Sequence, residues 1–97
     1  MKKNILRGKI LALLEKVYPD GADETTIISI LYQYHKIEHI RAALEYLSGK
    51  GYVEKNQQPH PLAAHEHIRW YKLTPRGVDL LEGNTDPDPG IIVQYGG

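Results

Sequence analysis

The feature of this sequence that most constrains its fold is a helical pattern at about residues 36–48 that ends abruptly before a strand. Apolar residues recur there at i, i+3, i+7 and i+10, which places them in one stripe along a helix. The residues of this stripe are Ile37, Ile40, Leu44 and Leu47. Gly49-Lys50-Gly51 ends the helix, since either glycine can adopt a left-handed cap conformation. Tyr52-Val53-Glu54 follows as a short strand, so the pattern predicts an α+β chain.

Two further helices are predicted before this one. Residues 4–18 carry apolar side chains at helical spacing, and Pro19-Asp20-Gly21 breaks the pattern. The stripe of this helix comprises Leu6, Ile10, Leu13, Leu14 and Val17. Asp23 is a suitable N-cap for a second helix that runs to about Gln33. We expect the second helix to bury some combination of Ile27, Ile28, Ile30 and Leu31.

A hairpin and a closing helix are predicted after the stripe helix. Residues 68–73 are rich in strand-forming side chains and pair with the strand at 52–54, and residues 55–67 form a polar loop between them. Trp70 and Tyr71 are neighbours on a strand and point to opposite faces, so we expect one of them in the core. The last helix is capped by Thr74, has Pro75 at its first position and ends at Gly83.

The order of three helices, a two-stranded hairpin and a closing helix is that of a winged helix-turn-helix. The stretch from Ala43 to Glu54 (ALEYLSGKGYVE) resembles the exit of the recognition helix in MarR- and PadR-like bacterial regulators. Leu73-Thr74-Pro75-Arg76-Gly77 is similar to the junction after the wing in the same families, and the resemblance covers about residues 5–82. The ending after Leu80 also resembles small winged-helix proteins of Mu-like phages and prophages. The long flanking helices by which MarR-type proteins dimerise are absent from the sequence.

This resemblance implies sequence-specific binding of double-stranded DNA and a role in transcriptional regulation. The helix at 36–48 is the predicted recognition helix, because a helix fits the major groove and can read its base edges. The polar loop at 55–67 is the predicted wing, whose donors suit phosphate or minor-groove contacts. The residues that we expect to contact DNA are Lys36, His39, Arg41, Lys50, Lys55, His65 and Arg69. Arg41 is expected to read guanine, with pairing to Glu38 or Glu45 as the competing interpretation.

The charge balance leaves a second function open. Twelve Lys and Arg residues offset twelve Asp and Glu residues, whereas nucleic-acid-binding domains are usually basic. Glu38 and Glu45 lie on the predicted reading helix and repel phosphate. The alternative is therefore a winged-helix module that binds another protein and not DNA.

The sequence does not favour an enzyme. His35-Lys36-Ile37-Glu38-His39 matches the metallopeptidase motif H-x-x-E-H, but His35 falls at the helix start and no third ligand is evident. No histidine is placed to activate Ser29 or Ser48, and no glycine-rich phosphate loop is present. We therefore expect no catalytic residue, no metal and no cofactor.

The 97 residues suffice for one domain, predicted at 1–83, followed by a mobile tail at 84–97. The tail carries an apolar patch, Ile91-Ile92-Val93, which together with the exposed side of the first helix predicts a homodimer. The chain has no cysteine, a mean hydropathy of −0.44 and no apolar run long enough to cross a bilayer. These features predict a cytoplasmic protein without a membrane partner.

Overall fold

The computed structural model of the chain describes residues 3–93, and within them it contains four helices and a three-stranded antiparallel sheet. In chain order the elements are α1 (Lys3–Lys16), β1 (Ala22–Asp23), α2 (Glu24–Leu31), α3 (Ile37–Gly49), β2 (Val53–His60), β3 (Ala63–Leu73) and α4 (Pro75–Glu82). The α+β class predicted from the sequence is confirmed, and the arrangement is compatible with a winged helix-turn-helix.

Three helix ends follow the local chemistry of the sequence. Asp23 precedes α2, and its carboxylate accepts a hydrogen bond from the backbone N–H of Thr26 at 3.2 Å. Thr74 precedes α4 and accepts from the N–H of Gly77 at 3.1 Å. Gly51 follows α3 at φ 81°, a conformation that favours glycine and lets the chain turn directly into β2. The predicted caps of α2 and α4 are thus confirmed.

The core lies where α1, α2, α3 and α4 pack around the inner end of the sheet. Its fully buried side chains come from every helix and from β3; they are Ile10, Leu11, Leu14, Ile27, Ile40, Leu44, Leu47, Tyr71 and Leu80. Tyr71 is the strand aromatic in the core, whereas the indole N–H of Trp70 donates to the carbonyl of Asp20 at 2.8 Å. The prediction that one of these two aromatics is buried is confirmed.

Two residues of the predicted apolar stripes lie outside the core. Ile37 is 43% exposed and Val17 is 38% exposed, although both continue the helical spacing of their helices. Ile37 is the first residue of α3, and Val17 follows the last residue of α1. Each therefore lies at the edge of the packed layer, where no neighbouring element covers it.

The sheet differs from the prediction in two respects. β1 was not expected; it pairs with β3 through Ala22 opposite Tyr71 and Asp23 opposite Trp70, giving the strand order β1-β3-β2. The prediction of an irregular loop at 55–67 is wrong, because β2 continues to His60 and β3 begins at Ala63. The ladder runs from Val53 opposite Leu73 to His60 opposite Ala63, with an irregularity between Pro59 and His60.

Residues 84–93, which fall in the predicted tail, pack against α1 and α3. Ile91 is only 5% exposed, so the expectation that it contributes to an exposed patch is wrong, whereas Ile92 is 42% exposed. The N–H of Ile92 donates to the carbonyl of Asn4 at 3.0 Å.

Arg7 connects the same segment to α3. The guanidinium carbon of Arg7 lies 3.4 Å from the centre of the Tyr46 ring, and the guanidinium donates a hydrogen bond to the carbonyl of Gly90 at 3.1 Å. Residues 94–97 of the predicted tail lie outside the described part of the chain.

Asp88 ties the same segment to the start of β2. Its carboxylate accepts from the Tyr52 hydroxyl at 2.7 Å and from the N–H of Gly90 at 2.8 Å. Lys50 lies 3.4 Å from the same carboxylate. The hydrogen bond from Tyr52 lowers the pKa of Asp88, with a smaller opposing effect of burial. Together these contacts hold residues 84–93 against the domain.

Candidate nucleic-acid interface

The outward face of α3 is open to solvent along its length. Lys36, Glu38, His39, Arg41, Ala42 and Glu45 are all exposed. The opposite face packs Ile40, Ala43, Leu44 and Leu47 into the core, which fixes the helix in place. The helix therefore presents a polar surface on a rigid support, as a major-groove reader requires.

Two predicted contact residues from distant parts of the sequence converge on one carboxylate. Arg41 of α3 donates through Nε to Glu24 at 3.0 Å, and Arg69 of β3 approaches the other oxygen of Glu24 at 3.5 Å. Glu24 is the first residue of α2, and its side chain is only 13% exposed. This cluster of Arg41, Glu24 and Arg69 carries one net positive charge and joins the helix to the hairpin.

The geometry of Arg41 leaves its planar fork available for a ligand. Its bond to Glu24 uses Nε, and within residues 3–93 no hydrogen bond engages its two terminal nitrogens. Glu38 and Glu45, the partners considered from sequence spacing, are not paired with it in the described structure. Arg41 is therefore positioned by its ion pair with Glu24 of α2 and not by a partner within α3.

Two of the predicted contact lysines are paired with carboxylates elsewhere. Lys55 of β2 lies 2.9 Å from Glu45 of α3, and Lys50 lies 3.4 Å from Asp88. Exposed ion pairs contribute about 0–1 kcal/mol and can exchange partners, which applies to Lys55 and Glu45, whereas the Asp88 side chain is only 8% exposed. With Arg41 and Arg69, four of the seven predicted contact residues are thus ion-paired, which offsets much of the positive charge of the surface.

The remaining three predicted residues are Lys36, His39 and His65. All three are exposed, and none forms an ion pair within the described residues. Lys36 is the N-cap residue of α3, His39 lies in its first turn, and His65 lies on the outer part of β3. Of the three, only His39 therefore lies on the same helix as Arg41, while Lys36 lies directly before that helix and His65 on the hairpin.

The H-x-x-E-H motif does not form a metal site in the structure. His35 precedes α3 and is only 6% exposed, whereas His39 lies on α3 and is exposed. Neither ring nitrogen of His35 has a hydrogen-bond partner in the described structure. Burial lowers the pKa of His35, and the electrostatic effects of Lys9 and His39 lower it further. Within residues 3–93 no group of three or more metal-ligating side chains is assembled.

Two features of the surface were missed from the sequence. An apolar patch at the α2–α3 turn exposes Ile30, Tyr32, Tyr34 and Ile37. A cleft of about 680 Å³ opens between the start of α2 and the hairpin, and Asp23, Glu24 and Glu66 contribute three carboxylates to its lining. Tyr32 and Tyr34, which precede His35, are a sequence signal that could have indicated an exposed turn. The cleft depends on how far the two strands of the hairpin extend, and the prediction of a loop at 55–67 did not include these longer strands.

Comparison of the chain with protein-family models, with curated proteins and with solved structures gives no significant match. Within residues 3–93, none of the helices combines the length and the apolar character that a bilayer span requires. The functional assignment therefore depends on the geometry of the surface formed by α3 and the hairpin.

Proposed function

We propose that this chain is a winged-helix protein that binds double-stranded DNA and acts in transcriptional regulation. In this proposal α3 enters the major groove, and the hairpin of β2 and β3 is the wing. The observation that carries the proposal is the convergence of Arg41 and Arg69 on Glu24. It joins the exposed face of the helix and the middle of the hairpin into one polar surface that presents two guanidinium groups.

The chemistry of this cluster suits recognition of a base next to a phosphate. An arginine fork can bridge O6 and N7 of guanine, and the ion pair through Nε limits the rotation of the Arg41 side chain beforehand. Arg69 lies midway along the hairpin, opposite Gln57, and its positive charge suits a backbone phosphate. Lys36 at the start of α3 supplies a third cation on the same helix.

The test begins with selection of bound sequences from random duplex DNA and continues with fluorescence anisotropy on the selected duplex. We expect Arg41→Ala to weaken specific binding by about 1–3 kcal/mol and to relax preference at one base pair. Arg41→Lys keeps the charge but loses the fork, so most of the loss in specificity should remain. Arg76→Ala is the matched control, because it removes an exposed arginine from α4, outside the proposed surface.

The result that would contradict the proposal is equally specific. If Arg41→Ala binds its best duplex as tightly as the parent protein, Arg41 does not read DNA. Far-ultraviolet circular dichroism of each variant keeps this outcome interpretable, since Arg41 is exposed and alanine favours helix formation.

A protein-binding module is the second candidate, and the cleft beside α2 is the observation that favours it. Arg69 also lines this cleft, but Asp23, Glu24 and Glu66 leave an excess of negative charge, which suits a partner segment rich in lysine or arginine. The two candidates differ in response to Glu66→Gln: DNA binding should strengthen when this carboxylate is removed, whereas binding of a basic partner should weaken. Glu66 is exposed and lies on the hairpin, so the substitution should leave the fold intact.

A further inference from the structure

The outer half of the hairpin stands away from the rest of the domain. A strand with one packed face alternates between buried and exposed side chains, but residues 56–59 of β2 are all exposed. On β3, residues 65–67 are likewise exposed in succession. Neither face of residues 56–59 or of residues 65–67 is therefore buried against a helix. We refer to residues 56–67 as the arm.

The arm is rich in neutral hydrogen-bonding side chains. Asn56, Gln57 and Gln58 are consecutive amides on β2, and His65 and His67 lie on β3, with Glu66 as the only Asp, Glu, Lys or Arg between residues 56 and 67. Amide side chains suit the N3 and O2 acceptors on the floor of the minor groove. The composition of the arm thus favours contact with groove edges over attraction to phosphate by charge.

The tip of the arm presents one apolar side chain to solvent. Leu62 is 91% exposed and lies in the two-residue connection between β2 and β3. Its backbone N–H donates to Nδ1 of His60 at 3.0 Å, which orders the turn. Pro59 and Pro61 fix two further backbone angles beside it. An ordered turn that exposes a leucine gains no packing energy from it, so the leucine is available to a ligand.

We propose that Leu62 acts as a wedge that enters a base-pair step from the minor groove and bends the duplex. The inference rests on the proposed DNA binding and adds the position and consequence of the arm's contact. A leucine inserted between base pairs exchanges water for the faces of the bases and partly unstacks that step. Bending of the duplex by about 20–90° toward the major groove follows from such insertion.

The experiment measures bending and base unstacking separately from binding. The selected duplex is labelled at its two ends for energy transfer, and a second duplex carries 2-aminopurine at successive positions beneath the arm. The wild-type chain should raise the energy transfer and should increase 2-aminopurine fluorescence at one step. Leu62→Ala should lose both signals while it still binds, whereas Leu62→Met should retain them because methionine is also an apolar wedge.

Ile92→Ala is the matched control, since Ile92 is another exposed aliphatic residue and lies in the segment packed on α1. It should change neither signal. If the wild-type chain binds its duplex without bending it, or if Leu62→Ala bends it equally, the wedge is overturned and the proposed DNA binding stands. If the wild-type chain binds no duplex from the selection, both proposals are overturned together.

Discussion

Substitution of Gly8 by alanine tests whether residues 84–93 are packed against α1 as the structure describes. Gly8 is buried in α1, and a Cβ built on it would overlap the carbonyl oxygen of Ile92. The segment must therefore move away, which exposes Ile91 and breaks the hydrogen bond from Ile92 to Asn4. Burial of an isoleucine is worth about 1.5–3 kcal/mol and the hydrogen bond about 0.5–1.5 kcal/mol.

The gain in helix propensity offsets part of this loss. Alanine is better than glycine inside a helix by about 1 kcal/mol, so the expected net destabilisation is about 1–3 kcal/mol. In a domain of this size each kcal/mol lowers the melting temperature by about 4–8 °C. Thermal and urea denaturation followed by circular dichroism measures both quantities.

Gly49→Ala is the matched control for Gly8→Ala. Gly49 is exposed at the end of α3, and no other atom lies near the position that its Cβ would occupy. Gly49→Ala should therefore leave the free energy of unfolding unchanged or raise it by up to about 1 kcal/mol. In a chain truncated after Gly83, Gly8→Ala should also become stabilising. If Gly8→Ala stabilises the full chain as Gly49→Ala does, the reasoning about the packed segment is refuted.

Two further predictions concern titratable side chains. Asp88→Ala should destabilise the fold by about 1–3 kcal/mol, because the Tyr52 hydroxyl then has no acceptor for its hydrogen bond. Urea denaturation at pH 7 measures this change in unfolding free energy. An unchanged denaturation midpoint would contradict the contact. Burial lowers the pKa of His35 in the folded state below the ordinary histidine pKa of 6.5. As the pH falls through 6.5, the imidazole therefore takes up its proton more readily in the unfolded chain than in the folded chain. The stability that His35 contributes is thus present above pH 6.5 and is lost as the pH falls. Unfolding free energies at pH 7.5 and 5.5 should show a smaller decrease for His35→Leu than for the parent, and equal decreases would exclude His35 as the cause.

The helices were predictable because their signals are local. The stripe of α3 and the caps at Asp23 and Thr74 depend on spacing and on side chains within one turn. The exception at Ile37 arises because periodicity identifies a face but not where the neighbouring elements stop. Burial at the ends of a helix is a property of the whole fold.

The hairpin and the short strand were harder to predict for a related reason. Strand propensity largely measures how well a side chain fits a half-buried surface, and Asn56, Gln57 and Gln58 have no such surface to fit. Their strand conformation comes from pairing with β3, because the ladder continues past Tyr71 and pairs these three residues with Trp70, Arg69 and Ile68. β1 is only two residues long, and its pairing is supported by the distant bond from Trp70 to Asp20.

The ion pairs of the predicted contact residues were not predictable from the sequence. Arg41 and Arg69 were expected to face DNA, but their common partner Glu24 is separated from them by 17 and 45 positions. Spacing within α3 suggested only Glu38 and Glu45 as partners of Arg41, because i±3 and i±4 spacing identifies neighbours within a single helix. The contact with Glu24 follows from how α2 packs beside α3 and β3.

The salt dependence of binding to the selected duplex tests the central claim most directly. In the proposed complex Lys36 and Arg69 contact phosphates and Arg41 contacts a base edge, and each neutralised phosphate contributes about −0.9 to the slope of log affinity against log salt. We predict selection of a defined sequence and a slope of about −2 for the parent, and a slope about one unit shallower for Lys36→Ala. Failure to enrich any sequence, together with no salt-dependent binding to duplex DNA, would contradict the assignment of this surface to DNA.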